Sequence, residues 1–230
     1  MYRLLYALSS TRSVRLQIVD GDLVESKNLV RQNFVKADLG ENKARVVAER
    51  YSTVFGLETE FRDSYIEDDA ELELLLNPKK AHTRRGVQIE QELVILLGCV
   101  DNNKSRAMCH RVFYKMPELI YIDAGNDEYR GQVVCGVRRR GRTAAKPIGA
   151  LYPEILEAQD LFPSELSCAE AAVSAPQAIT ANITAATTMV IMVYNILALG
   201  QMNVNEAMFS TTSIAVQPTC WMGKKKRQAA

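Results

Sequence analysis

The spacing of apolar residues changes repeatedly along the chain, and each change marks an element. Leu4, Leu5 and Leu8 fall at helical spacing, so Tyr2–Leu8 is predicted as a helix, with no capping residue ahead of it. Ser13–Asp20 alternates and then closes on the apolar pair Ile18-Val19, the pattern of a buried strand, which Gly21-Asp22 breaks. A helix is predicted over Lys43–Phe55, with an opening turn at Gly40 and a stop at Gly56. A short strand at Leu57–Phe61 and a helix at Asp68–Leu76 follow, the latter ended by Asn77-Pro78. Leu93–Val100 is the most apolar strand and reads as central in a sheet. Lys104–Phe113 reads as a helix and Leu119–Asp123 as the next strand.

This alternation of helix and strand implies an α/β fold, with a mostly parallel sheet and helices on both faces. After Gly131 the rhythm changes. Gln132–Arg138 and Arg142–Ile148 read as two antiparallel strands, followed by a loop rich in proline and acidic residues. A long helix over Pro176–Leu199 and a hairpin near Ala207–Val216 complete a C-terminal antiparallel extension. No internal repeat is present.

Composition narrows the function classes. With 230 residues, 47% hydrophobic and 24% charged, the chain matches an ordinary soluble globular protein of one large domain. A net charge of +1 gives no general attraction to nucleic acid or to an anionic membrane, so neither is expected as a partner. The one basic cluster, Lys224, Lys225, Lys226 and Arg227, reads as a solvated tail. The five cysteines include no CxxC pair and follow no secretory signal, which favours a reduced cytoplasm and argues against a four-cysteine zinc site. Ile179–Leu199 is as long as a membrane span but carries Asn182, Asn195 and several threonines, so a buried core or interface helix is expected.

The chemistry is concentrated after the first strand. Asp20 stands at the strand's carboxyl end, where an acidic residue meets a ribose hydroxyl in dinucleotide-type folds. The chain then reads Asp20-Gly21-Asp22-Leu23-Val24-Glu25, Asn28-Leu29-Val30-Arg31-Gln32 and Gly40-Glu41-Asn42-Lys43-Ala44. A fourth segment, Asp101-Asn102 with Arg106, follows the strand that ends near Val100. Taken singly these are ordinary residues: Asn28, Gln32 and Lys43 suit a loop or a helix start, Asp101-Asn102 suits a helix cap, and Arg31 suits a surface pair with Asp22 or Glu25. Jointly, in this order and spacing, they resemble the ThiF/MoeB/ubiquitin-activating family of ATP-dependent adenylyltransferases.

The resemblance implies a Rossmann-like fold over residues 1–220 as one adenylation domain, with residues 221–230 as a basic tail. It also implies an activity in which a carboxylate attacks the α-phosphate of ATP and expels pyrophosphate. Such a reaction needs no protein nucleophile, only positioning and neutralisation of charge. Carried over residue by residue, the resemblance assigns Asp20 to the ribose and Asn28, Arg31, Gln32 and Lys43 to ATP. Asp22 and Asn102 complete the nucleotide site, and Asp101 is expected to hold Mg²⁺ and face the reacting end. Arginine can fork onto phosphate oxygens, and lysine serves as a point charge. The expected acceptor is a ubiquitin-like or sulfur-carrier protein ending in Gly-Gly, and a homodimer is expected from the family's use of the long helix. Cys168 lies where relatives place a thioester or persulfide cysteine or a zinc ligand; a small buried residue is the plainer reading.

The chain departs from the family at its beginning. Family members carry a strand and a Gly-x-Gly-Gly-x-Gly loop ahead of the first helix, and here no glycine precedes Gly21. The chain is therefore expected to be N-terminally incomplete, and alone to bind Mg·ATP poorly or not at all. Two alternatives to carrier activation follow: a non-catalytic interaction subunit, and a dehydratase-branch enzyme acting on a tRNA-linked carboxylate. NAD-dependent hydride transfer is disfavoured, because Asn28-Leu29-x-Arg31-Gln32 has no use in it.

Overall fold

The structure, a computed structural model, describes residues 1–30, 32–78, 80–82, 89–165 and 178–220. It divides into two compact units, Met1–Ile66 and Glu67–Ala230.

In the first unit, the predicted helix α1 (Tyr2–Ser9) turns Tyr2 and Leu5 inward and leaves Leu4 and Leu8 half-buried, so of the three leucines that marked the helix only Leu5 is buried. Tyr2 stacks on Tyr51 with ring centroids 4.9 Å apart and lies 6.1 Å from Phe55, which ties α1 to the next helix through aromatic area. Strand β1 (Leu16–Val19) runs parallel to β2 (Thr59–Arg62), with Ile18 opposite Phe61. Helix α2 (Lys43–Phe55) connects them. It ends at Gly56, whose φ of 63° is left-handed and costs a glycine little. Two 3₁₀ turns, Ser26–Asn28 and Lys36–Asp38, fill the path from β1 to α2. The second is fixed by buried Asp38, which accepts the Val35 amide at 2.7 Å and the Arg50 guanidinium at 2.6 Å.

The second unit opens with α3 (Asp69–Leu75), capped by Asp68, which accepts the Ala70 and Glu71 amides at 2.9 and 3.0 Å. A short antiparallel strand pair, β3 (Lys80–His82) with β4 (Ile89–Gln91), was not foreseen from the sequence. Strand β5 (Ile95–Gly98), helix α4 (Asn103–Lys115) and β6 (Leu119–Asn126) form a parallel strand–helix–strand crossover. From β6 the sheet is antiparallel: β7 (Arg130–Arg139), its neighbour β8 (Arg142–Ala145), then β9 (Val204–Ser210) and β10 (Ala215–Cys220). Its order is β10-β9-β7-β6-β5, with β8 beside β7. Short helices α5 (Ile148–Leu151) and α6 (Glu154–Glu157) follow β8.

The core of this unit lies between α4 and β6–β7, where Val112, Phe113, Ile122, Val133 and Val134 have no solvent exposure. Helix α7 (Ile179–Leu197) lays Ala181, Ala185, Thr188, Met189 and Met192 onto the sheet, and its alanines let the helix approach closely. Its other face leaves Ile183, Ile191 and Tyr194 exposed. By length and composition alone α7 could cross a membrane, but one face is packed on strands, as expected of a core helix.

The α/β class and the C-terminal antiparallel extension are both observed. One placement differs. The apolar run after Leu93 is not central: among the described residues β5 ends the sheet order, and within it only Gly98 is buried. Hydrophobicity reports how much a strand's faces are covered, whereas rank in a sheet depends on which edges pair, and side chains do not encode that.

Candidate active site

In the first unit the three motif segments close into one hydrogen-bonded frame. The turn after β1 is an Asx turn: the Asp22 amide donates to Asp20 Oδ1 at 2.9 Å, while the Asp20 amide bonds the Arg62 carbonyl at 3.2 Å and so stays registered to β2. Asn42 joins this turn to α2. Its Oδ1 caps the helix by accepting the Arg45 amide at 2.9 Å, and its Nδ2 donates to the Asp20 carbonyl at 2.7 Å and the Asp22 carbonyl at 3.2 Å. The Lys43 amide bonds the Asp22 carbonyl at 2.9 Å, and Val24 exchanges backbone bonds with Glu41 at 2.8 Å and Gly40 at 2.9 Å. Gly40 has φ of 81°, which lets the chain reverse into the helix start without side-chain strain.

Lys43 leaves the first turn of α2 with its side chain 14% exposed and its ammonium 2.7 Å from Asp22 Oδ2. The Tyr65 hydroxyl donates to the other oxygen, Asp22 Oδ1. Burial pushes the Asp22 carboxyl up, but the hydrogen bonds from Lys43 and Tyr65 and the charges of Lys43 and Lys27 outweigh it. The net pKa lies below the ordinary carboxylate range.

The remaining predicted residues divide. Asn28 is 2% exposed and its Oδ1 caps the first 3₁₀ turn by accepting the Glu25 amide at 2.8 Å, so the structure gives it a shaping role. Gln32 is exposed, with its amide bonded to the Asn28 carbonyl at 2.9 Å. Arg31 lies outside the described residues.

In the second unit, Asp101 is exposed past the carboxyl end of β5, and among the described residues its carboxylate makes no hydrogen bond or ion pair. Asn102 caps α4 by accepting the Ser105 amide at 2.8 Å, and Asp160 adds a second acceptor for the Asn103 amide at 2.6 Å. Beneath this loop lies a network that the sequence reading did not assign to a role. Arg106, 9% exposed, donates to the carbonyls of Val100 and Ala124 and, at 3.0 Å, to Asp123, which has no exposure. Tyr121 donates to the second Asp123 oxygen at 2.5 Å. A Cβ on Gly98 would stand 2.1 Å from that oxygen, so only glycine leaves room for the carboxylate over β5. Burial drives the Asp123 pKa up to about 6, against the opposing pull of Arg106 and Tyr121.

By donor chemistry the residues of the first unit suit a nucleotide, and Asp101 of the second suits magnesium. An ammonium, amides and an acidic turn suit phosphate and ribose oxygens. Among the described residues no three acidic, histidine or cysteine side chains converge on a metal point. Mg²⁺ keeps several waters and leans on substrate phosphates, so a single carboxylate such as Asp101 is compatible with it. Cys168 lies outside the described residues. Burial pushes the Cys109 and Cys135 thiols up to about 12, which removes both as nucleophiles at neutral pH. A shallow concavity between Leu93, Val94, Leu119, Ile120 and Arg138 lies at the amino ends of β5 and β6, the opposite end of those strands from Asp101.

Asn42 and Tyr65 escaped the sequence reading. Asn42 lay within a quoted segment, and an Asn before a helix is a recognisable cap signal. Tyr65 stands 43 residues from Asp22, with no local pattern joining them.

Solved structures with the same fold include PaaA, at 15% identity and TM-score 0.61, covering 94% of this chain and 59% of that one. Escherichia coli MccB with ATP matches at 16% identity and TM-score 0.57, covering 98% and 61%. The microcin C7 biosynthetic enzyme MccB in complex with N-formylated MccA matches at 16% identity and TM-score 0.60, covering 94% and 60%. The chain thus spans about three-fifths of the length of these proteins. No curated protein matches it. The ThiF family profile matches residues 7–221, nearly the whole chain, and the chain belongs to the ThiF family.

Proposed function

We propose that the protein performs ATP-dependent adenylyl transfer to a carboxylate, and that the acceptor is the C-terminal glycine of a ubiquitin-like or sulfur-carrier protein. The observation that carries this reading is the closed frame of Asp20–Glu25, Asn28 and Gly40–Lys43, which holds the Lys43 ammonium at the amino end of a 13-residue helix. A cation on a helix start, backed by a hydrogen-bonded turn, is arranged for a polyphosphate.

In the proposed reaction a carboxylate oxygen bonds to the α-phosphorus as the bond to pyrophosphate breaks. Lys43 and Arg31 neutralise charge on the phosphates, Gln32 supports phosphate or ribose oxygens, Asn28 holds the turn that presents them, and Asp20 and Asp22 shape the ribose side. Asp101 would hold Mg²⁺, with Asn102 fixing its loop as the α4 cap. Bound magnesium supplies neutralisation of the phosphate oxygens. A homodimer belongs to the same proposal, and the exposed Ile183, Ile191 and Tyr194 of α7 are compatible with one.

A second reading keeps the chemistry and changes the acceptor. The similar structure of MccB is in complex with N-formylated MccA, and an acceptor of another kind than a Gly-Gly carrier is the second reading. ATP–pyrophosphate exchange separates the two, run on the protein expressed with any in-frame codons upstream of Met1. Exchange that depends on a Gly-Gly carrier supports the first reading. Exchange driven by another carboxylate supports the second, and no exchange with any acceptor overturns both.

A further inference from the structure

Asp22 has each of its two carboxylate oxygens engaged. Oδ2 faces the Lys43 ammonium at 2.7 Å, and Oδ1 takes the Tyr65 hydroxyl. The Tyr65 ring is seated by the turn itself. A Cβ on Gly21 would stand 2.7 Å from its ring atoms, so the ring lies flat against the bare glycine. The Asp22 backbone is fixed as well, its carbonyl accepting from the Lys43 amide at 2.9 Å and Asn42 Nδ2 at 3.2 Å. The Asp22 side chain remains 46% exposed, so an incoming anion can approach the ion pair from solvent.

We propose that Asp22 is a resident counter-anion that holds Lys43 until a polyphosphate displaces it, and that Tyr65 is a positioning residue that sets the strength of the hold. This rests on the nucleotide reading above and adds to it a residue and a competition. A lysine ammonium pairs with whichever anion offers more charge, and a polyphosphate outcompetes one carboxylate. The phenol donor spreads the carboxylate's charge onto a second partner, which weakens its claim on the lysine. Without the phenol the carboxylate would grip Lys43 harder. Without the carboxylate's charge the ammonium would be free for phosphate.

The signs of these effects provide the test. Affinity for inorganic tripolyphosphate is measured calorimetrically for the wild type, Asp22→Asn, Tyr65→Phe and the double variant, each expressed with any in-frame codons upstream of Met1, with circular dichroism confirming the fold. Phenylalanine keeps the ring on Gly21 and asparagine keeps the shape of residue 22, so all are expected to fold. Asp22→Asn is expected to tighten tripolyphosphate binding, and Tyr65→Phe to weaken it by about threefold to tenfold, as for loss of part of a charge-assisted hydrogen bond. In the double variant the Tyr65→Phe effect should vanish, which a merely structural role would not produce. Weaker binding by Asp22→Asn, or an equal Tyr65→Phe effect in both backgrounds, would overturn the proposal. An independent arm follows the Asp22 carboxylate by NMR in the unliganded protein, where Tyr65→Phe should raise its titration point. An unchanged titration point overturns the hold. A raised one, in a protein that binds no tripolyphosphate in any form, upholds the hold and overturns the nucleotide reading instead.

Discussion

Arg106 Nε donates to Asp123 Oδ1 at 3.0 Å in a site where the arginine is 9% exposed and the aspartate not at all. The same guanidinium reaches the carbonyl of Val100, the residue before Asp101. The buried pair therefore anchors the loop that carries the proposed magnesium ligand. Replacing Arg106 by methionine leaves a carboxylate buried without its partner and is expected to cost about 3 to 5 kcal/mol by chemical denaturation. Adding Asp123→Asn should recover part of that loss, because no charge then remains buried.

Stability should also depend on pH through Asp123. Its folded pKa, raised to about 6 from an ordinary 3.8, exceeds the unfolded one. Between these values the folded state binds the additional proton, so this group's contribution falls as pH rises from about 4 to about 6 and stays low above that. The wild type should thus lose stability relative to Asp123→Asn across that window, on the order of 1 to 3 kcal/mol. Carboxylates with lowered pKa values, such as Asp22 and Asp69, are common to both proteins and cancel in the difference. Thermal melts of the pair at pH 4, 5, 6 and 7 (about one unit apart) read the effect.

Asn42 makes three hydrogen bonds, one to the helix and two to the Asp20–Asp22 turn. Asn42→Ala should destabilise the first unit by about 2 kcal/mol, more than an isolated cap would cost. Hydrogen exchange should show lost protection at Asp22, Lys43 and Arg45 ahead of the rest of α2.

Lys43→Ala removes the ammonium but leaves the backbone bond from residue 43 to the Asp22 carbonyl. The fold should survive, and the rate of ATP–pyrophosphate exchange should fall by about 100-fold or more, the scale of losing one preorganised electrostatic contact. Lys43→Arg should restore only part of it, since a planar fork does not replace a point charge.

The sequence made much of this legible. The boundaries of α2, its stop at Gly56, the β7–β8 and β9–β10 pairings and the long core helix follow from periodicity and from glycine placement. The motif segments likewise located Asp20, Asp22 and Lys43, which the structure brings into one frame. Other features were hidden for physical reasons. Tyr65 and Asp123 act through contacts far along the chain, 43 residues from Asp22 and 17 from Arg106 respectively. Gly98 looks like a strand irregularity until the carboxylate above it is seen. Asn28 and Asn102 carry side chains that suit either a ligand or a cap, and only geometry reveals that each serves as a cap.

In the proposed adenylyl transfer a carboxylate oxygen becomes bonded to the α-phosphorus. The most direct test of this step uses a Gly-Gly carrier labelled with ¹⁸O in its terminal carboxylate, incubated with Mg·ATP and the protein expressed with any in-frame codons upstream of Met1. The acyl product is then released by an added thiol, and the nucleotide is analysed by mass spectrometry. Adenylyl transfer gives AMP carrying one ¹⁸O, with pyrophosphate as co-product. ADP with labelled orthophosphate, or AMP without label, would contradict it.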